Sequence, residues 1–182
     1  VFDTEVYSNT GGQSSKATPL GSVAQFAAGG KPTYKKDMGA IFMSYRYIYV
    51  AQVAIGADKN QCLKAFMEAE AYPGPSIVIA YAPCINHGLK GGLVNGLDQE
   101  KSAVEVGYWP LYRYNPLLAQ KGENPLQLDY KQPNGKFKEH LMREVRYASL
   151  FNAFPDKAEQ FASEAANNAM ARYEYYAKLA GK

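Results

Sequence analysis

A chain of 182 residues with 47% hydrophobic and 20% charged positions has the size and composition of a globular domain with a sizeable core. Its net charge of +3, with lysines and acids interspersed, is too small to point to nucleic acid or an anionic membrane. No apolar run reaches the roughly 20 residues of a membrane span, and the two cysteines, Cys62 and Cys84, form no CxxC pair that could complete a metal site within the chain.

Residues 1–6 read as the end of a buried strand. Residues 8–36 are rich in Gly, Ser, Thr and Lys and lack strong periodicity, which marks a functional or loosely ordered loop. Within it, "PLGSVAQFAAGG" fits a short helix ending in two glycines. Asp37 caps a helix that continues through Ile41, Met43 and Tyr45. "YIYVAQVAI", residues 47–55, has the β-branched and aromatic content of a strand buried on both faces. Asp58 caps a second helix, with Leu63, Phe66 and Met67 as its apolar face, which stops before Pro73-Gly74-Pro75. "SIVIAYAPC" is a further apolar strand running to Cys84.

Beyond Gly88 the alternation weakens. Residues 99–106 fit a helix, and "YWPLYRYNP" an extended aromatic segment in which Pro110 argues against a central strand. Asn124-Pro125 and Pro133-Asn134-Gly135 are turn signals. Helices over 137–151 and 155–179 close the chain, the second with Phe161, Ala165, Ala169, Tyr173 and Tyr176 on one face. Alternating strands and helices predict an α/β fold with a parallel sheet, whose ligands gather beyond the carboxyl ends of the strands.

Two segments fall at such ends. "DTEVYSNTGGQ" places Asp3, Thr4, Glu5, Ser8 and Asn9, all hard-oxygen donors, next to Gly11 and Gly12, which allow close approach and expose backbone N–H groups. Magnesium shares its octahedron between a few protein oxygens, water and phosphate, so the stretch fits a magnesium–diphosphate site. On composition alone it fits somewhat better a polar turn that bonds its own backbone. Cys84, where the chain leaves its strand, fits a small buried hydrophobe or a metal-ligating thiol. Cys62, beside a helix face, reads as core, and His140 as a solvated residue on a charged helix. Lys35, Lys36 and Asp37 read as a solvated loop, or as a surface for an acidic partner or a phosphate.

The string "DTEVYSNTGGQSSKATPLGSVAQFAAGGK" resembles the thiamine-diphosphate domain of the pyruvate:ferredoxin (flavodoxin) oxidoreductases. "YPGPSIVIAYAPCINHGL", "GYWPLYRYNPLL" and "LMREVRYASL" resemble later parts of the same domain, in the same order. The resemblance implies a thiamine-diphosphate-binding fold with residues 1–130 as its C-terminal portion and 131–182 as a helical extension. It makes Thr4, through its hydroxyl, and Val6, through its carbonyl, ligands of Mg2+. Asn9 becomes the end of the thiamine motif and a catalytic amide near the reacting ring, with Thr10, Gly11 and Gly12 continuing the wall of the cofactor site. Cys84 becomes the fourth ligand of a [4Fe–4S] cluster. His87 stands where the family more often has Gln, and no catalytic role is assigned to it.

The activity implied is oxidative decarboxylation of pyruvate with coenzyme A to acetyl-CoA and CO2, with electrons leaving through [4Fe–4S] clusters to ferredoxin or flavodoxin. Other 2-oxoacids, an NADP-linked relative, or a non-catalytic α/β interaction module are the alternatives. The resemblance further implies a homodimer in a cytoplasmic or equivalent reducing compartment. The family's Gly-Asp-Gly would precede Val1, and its activating glutamate, carboxylate-binding arginine and ferredoxin-like insert have no counterpart in this sequence. The chain is therefore expected to be a C-terminal fragment, inactive alone, whose cofactors depend on upstream segments.

Overall fold

The computed structural model describes residues 1–182. Five strands form one open sheet in the order β1-β3-β2-β4-β5, comprising β1 (Phe2–Asp3), β2 (Tyr49–Val53), β3 (Ser76–Tyr81), β4 (Tyr112–Tyr114) and β5 (Leu126–Leu128). β1, β3 and β2 are mutually parallel, and β4 and β5 continue the sheet antiparallel to β2. Seven helices accompany it: α1 (Met38–Met43), α2 (Lys59–Ala71), α3 (Gly96–Glu105), α4 (Pro116–Gln120), α5 (Phe137–Leu141), α6 (Val145–Ala153) and α7 (Pro155–Leu179). This is an α/β fold with C-terminal helices, as the alternating pattern predicts. No helix is long and apolar enough to cross a membrane.

Local chemistry explains where the helices start. The Asp37 and Asp58 carboxylates accept the backbone N–H groups of Ala40 and Gln61, each at 2.9 Å, satisfying donors left open in the first turns of α1 and α2. Pro116 and Pro155 occupy first-turn positions that need no N–H. Every residue of β2 is buried, and the Trp109 indole N–H donates to the Val53 carbonyl at 3.0 Å, closing the main core over that strand. Gly39 lets α1 lie directly on the sheet: a Cβ there would collide with the Tyr112 hydroxyl. On α7 the expected face is the packed one, with Phe161, Ala169 and Tyr176 buried and Ala165 and Tyr173 against the core.

Several expectations are corrected. The first strand spans two residues rather than six, because the chain turns out of the sheet at Thr4. "PLGSVAQFAAGG" forms turns, with Gly21, Phe26 and Gly30 all at positive φ, incompatible with a continuous helix. Leu63, Phe66 and Met67 are exposed; α2 instead buries Gln61, Cys62 and Ala65, the last two small enough to bring the helix close to the sheet. β4 lies inside the sheet, since Pro110 falls two residues before it and costs it no ladder bond.

The helix expected over 137–151 breaks between α5 and α6. There Glu144 takes an extended conformation and bridges to Leu89, with Val145 N–H donating to the Gly88 carbonyl at 2.9 Å. His140 is buried rather than solvated: one ring nitrogen lies 2.9 Å from the Ser102 hydroxyl, and burial lowers its pKa to about 4.

Candidate functional site

β1 and β3 are neighbouring parallel strands, paired Phe2 to Ala80 and Asp3 to Tyr81, so their carboxyl ends open at the same edge. The chain leaves β1 into residues 4–13 and leaves β3 towards Cys84 and a single 3-10 turn, Ile85–His87. Sheet topology alone thus brings the oxygen-rich loop beside the cysteine.

The loop departs through a strained residue. Glu5 has φ +60°, uncommon outside glycine, and four interactions hold it there. Its N–H donates to Asp3 Oδ1 at 2.9 Å, and its carbonyl accepts the Thr18 hydroxyl at 2.6 Å. Its buried carboxylate receives Arg146 at 2.7 Å and the Tyr108 hydroxyl at 2.6 Å. The turn folds the chain back so that the Thr4 hydroxyl sits 3.1 Å from the Val6 carbonyl oxygen, with Ser8 Oγ 3.3 Å from the same hydroxyl. Ligands at right angles on an octahedral ion with bonds of about 2.1 Å lie about 3 Å apart. The Thr4–Val6 oxygen pair therefore fits one edge of a magnesium octahedron.

Beyond Val6 the loop tips over in a tight turn. Gly11 N–H donates to the Ser8 carbonyl at 3.4 Å and Gly12 N–H to the Tyr7 carbonyl at 2.9 Å, so the glycines do not turn free N–H groups outward as expected. The backbone N–H groups of Ser8, Asn9 and Thr10, three in succession, have no acceptor within the chain. Such a run suits an anion. The Asn9 side chain is exposed and makes no hydrogen bond within the chain, whereas the Thr10 hydroxyl is engaged by Gln13 Oε1 at 2.6 Å. Gly12, at φ +85°, is required by proximity as well: a Cβ would stand 2.9 Å from Asn86 Oδ1.

Asn86 joins the two strand tips. Its amide nitrogen lies 3.5 Å from the Ser8 carbonyl and 3.5 Å from Cys84 Sγ. Cys84 is thus on the same side of the molecule as Ser8 and Asn9. Both Cys84 and Cys62 are buried free thiols, and Cys62 packs with Tyr49, Ala51 and Val53. No three His, Cys, Asp or Glu side chains gather as a metal cluster.

Behind the loop lies a buried charge network. Arg146 bridges Glu5 and Glu144 at 2.7 and 2.6 Å, and Gln99 donates to Glu144 at 2.9 Å. Burial alone would raise both carboxyls. For Glu5, Lys35 and Arg146 outweigh it, and for Glu144 chiefly Arg146 does, so both are held below the usual carboxylate range. Lys35 is not the solvated cation the sequence implied: it lies 2.6 Å from Asp3 Oδ2 and 3.5 Å from Glu5 Oε1. Asp37 accepts the Tyr176 hydroxyl at 2.5 Å besides capping α1. Lys36 also lines an open groove with Lys16, Lys31, Ser14 and Ser15.

Sequence reasoning singled out Thr4, Val6, Asn9, Thr10, Gly11, Gly12 and Cys84, and the structure gathers them at one edge. It missed Asn86, Glu5 and Arg146 as supports. The adjacency of Asn86 to Cys84 was a usable signal; the pairing of Glu5 with a residue 141 positions away was not.

Fold and site together define the class: an α/β protein with a hard-oxygen loop and a thiol at adjoining carboxyl ends of parallel strands. No protein-family model matches the chain. It is 61% identical over 99% of its length to the pyruvate:ferredoxin oxidoreductase of Moorella thermoacetica, covering 15% of that protein. It is 56% identical over its full length to the pyruvate-flavodoxin oxidoreductase of Klebsiella pneumoniae, covering 16%. It is 49% identical over 98% of its length to the mitochondrial pyruvate dehydrogenase [NADP(+)] of Euglena gracilis, covering 10%. The chain belongs to the pyruvate:ferredoxin/flavodoxin oxidoreductase family, as a segment spanning about 15% of the length of such proteins.

Proposed function

We propose that this segment supplies part of the thiamine-diphosphate and iron–sulfur centre of an enzyme that converts pyruvate and coenzyme A to acetyl-CoA and CO2. The reaction releases two electrons and a proton, and [4Fe–4S] clusters carry the electrons to ferredoxin or flavodoxin. The observation that carries this reading is the 3.1 Å Thr4–Val6 oxygen pair beside a thiol that shares the Asn86 amide with the same loop.

The residues divide the work. The Thr4 hydroxyl and Val6 carbonyl would hold Mg2+ near a diphosphate, with the remaining ligands supplied by water and by side chains outside this chain. With an ion bound there, the Thr4 hydrogen, here donated to the Val6 carbonyl, would have Ser8 Oγ, 3.3 Å away, as its acceptor. The Ser8, Asn9 and Thr10 N–H groups would receive anionic oxygen, and the unengaged Asn9 amide would orient the substrate. Thiamine diphosphate, when bound, supplies the electron sink for decarboxylation. Cys84, as thiolate, gives one of four cluster ligands, the other three coming from elsewhere in the longer protein. Relatives named for ferredoxin, flavodoxin and NADP(+) match this segment at 61, 56 and 49% identity, which supports a choice of electron acceptor made outside it.

The test is a Mg2+ titration of thiamine-diphosphate binding in the full-length protein. Thr4→Val keeps the shape and removes the ligand; it should raise the apparent Mg2+ dissociation constant about tenfold or more, a loss near 1.4 kcal/mol. Unchanged Mg2+ dependence in Thr4→Val would exclude the oxygen pair as the metal site.

A further inference from the structure

His87 belongs to none of the roles above, yet it is completely buried between the two halves of the site. Its ring lies over Tyr81, the last residue of β3, with centroids 6.5 Å apart and planes at 22°. Nε2 is 2.8 Å from the Thr4 carbonyl oxygen. A carbonyl only accepts, so Nε2 carries the hydrogen and donates it. Nδ1 then accepts the Cys84 backbone N–H at 3.4 Å, with Glu144 Oε1 3.6 Å beyond. One imidazole thus touches the main chain of the residue bearing the candidate metal hydroxyl and that of the residue bearing the thiol.

The Thr4 carbonyl is a sensitive point to hold. It belongs to the peptide that enters Glu5, the residue at φ +60°. Rotation of that peptide would relieve the left-handed conformation and swing the Val6 carbonyl away from the Thr4 hydroxyl. A half-buried carbonyl deprived of its donor loses free energy comparable to the backbone strain it restrains.

We infer that His87 is a positioning residue: by donating to the Thr4 carbonyl it locks the Glu5 turn and so presets the Thr4–Val6 oxygen pair for its ion. The inference deepens the proposed function and rests on it.

Reach separates this role from simple core filling. A Gln amide can place its nitrogen where Nε2 lies, whereas an Asn amide reaches only the Nδ1 position. In the full-length protein, Mg2+ is titrated at fixed thiamine diphosphate, reading cofactor binding rather than turnover. His87→Gln should bind Mg2+ within about threefold of wild type. His87→Asn and His87→Phe should bind it about tenfold or more weakly, in the range seen when a partner behind a metal ligand is lost. If His87→Phe does not fold, the Gln and Asn variants decide the matter alone. Equal Mg2+ affinity in Gln and Asn variants would overturn the inference. A wild-type protein whose thiamine-diphosphate binding ignores Mg2+ would overturn the reading of the site itself, and this inference with it.

Discussion

Glu5 shows how a single side chain carries both strain and function. Its backbone sits at φ +60° between the two oxygens that face the candidate ion, and its carboxylate is anchored to Arg146 and Tyr108 in the interior. The ion pair is fully desolvated, so removing the Glu5 charge leaves buried Arg146 with one carboxylate, Glu144, in place of two. Glu5→Gln, nearly isosteric, should lower the chain's unfolding free energy by about 3 kcal/mol in denaturant melts. A loss under about 1 kcal/mol would mean that Glu144 alone neutralises Arg146. At this scale the sequence was informative about chemistry-bearing atoms and silent about their supports. Thr4, Asn9 and Cys84 stand out by residue type and motif. Lys35 and His140 were misjudged as solvated because a charge within a polar run gives no sign that distant segments will cover it.

The elements follow the same division. Caps and proline positions are local chemistry, so α1, α2 and α7 begin where Asp37, Asp58 and Pro155 direct. The break between α5 and α6 was illegible because a bridge to Leu89 creates it. The buried face of α2 was misassigned because size of contact, rather than hydrophobicity, decides which side lies on the sheet. β5 escaped notice for lack of length, at three residues. Helix α5 adds a pH dependence. His140 has a folded pKa of about 4, against about 6.5 when unfolded, so the two states bind protons equally above that range. Between pH 6.5 and 4 the unfolded chain takes up a proton that the folded one refuses, and stability falls as pH falls. The loss should reach about 3 kcal/mol at the lower end. Melts across this interval should show that slope, and His140→Gln should flatten it; an unchanged slope would assign it to other groups.

For the molecule as a whole, order in the sheet does what no single motif does. Parallel pairing of β1 with β3 sets two carboxyl ends side by side, and everything placed at those ends meets: the Thr4–Val6 oxygens, the Ser8–Thr10 tip, Asn86 and Cys84. The alternation of strands and helices made that coincidence readable in advance for the first half of the chain. The antiparallel continuation through β4 and β5 was not, because an aromatic run and a turn-rich run do not announce that they will pair. In the proposed centre the chain would supply two oxygens and one sulfur, and the relatives it matches are more than six times its length.

Exchange of Mg2+ for paramagnetic Mn2+ in the full-length protein, loaded with thiamine diphosphate, would show whether the two strand tips serve one centre. Reducing the cluster should then perturb the manganese resonance by dipolar coupling, and Cys84→Ala should abolish that perturbation. A manganese signal indifferent to cluster reduction, or a perturbation that survives Cys84→Ala, would place the ion and the sulfur in separate sites.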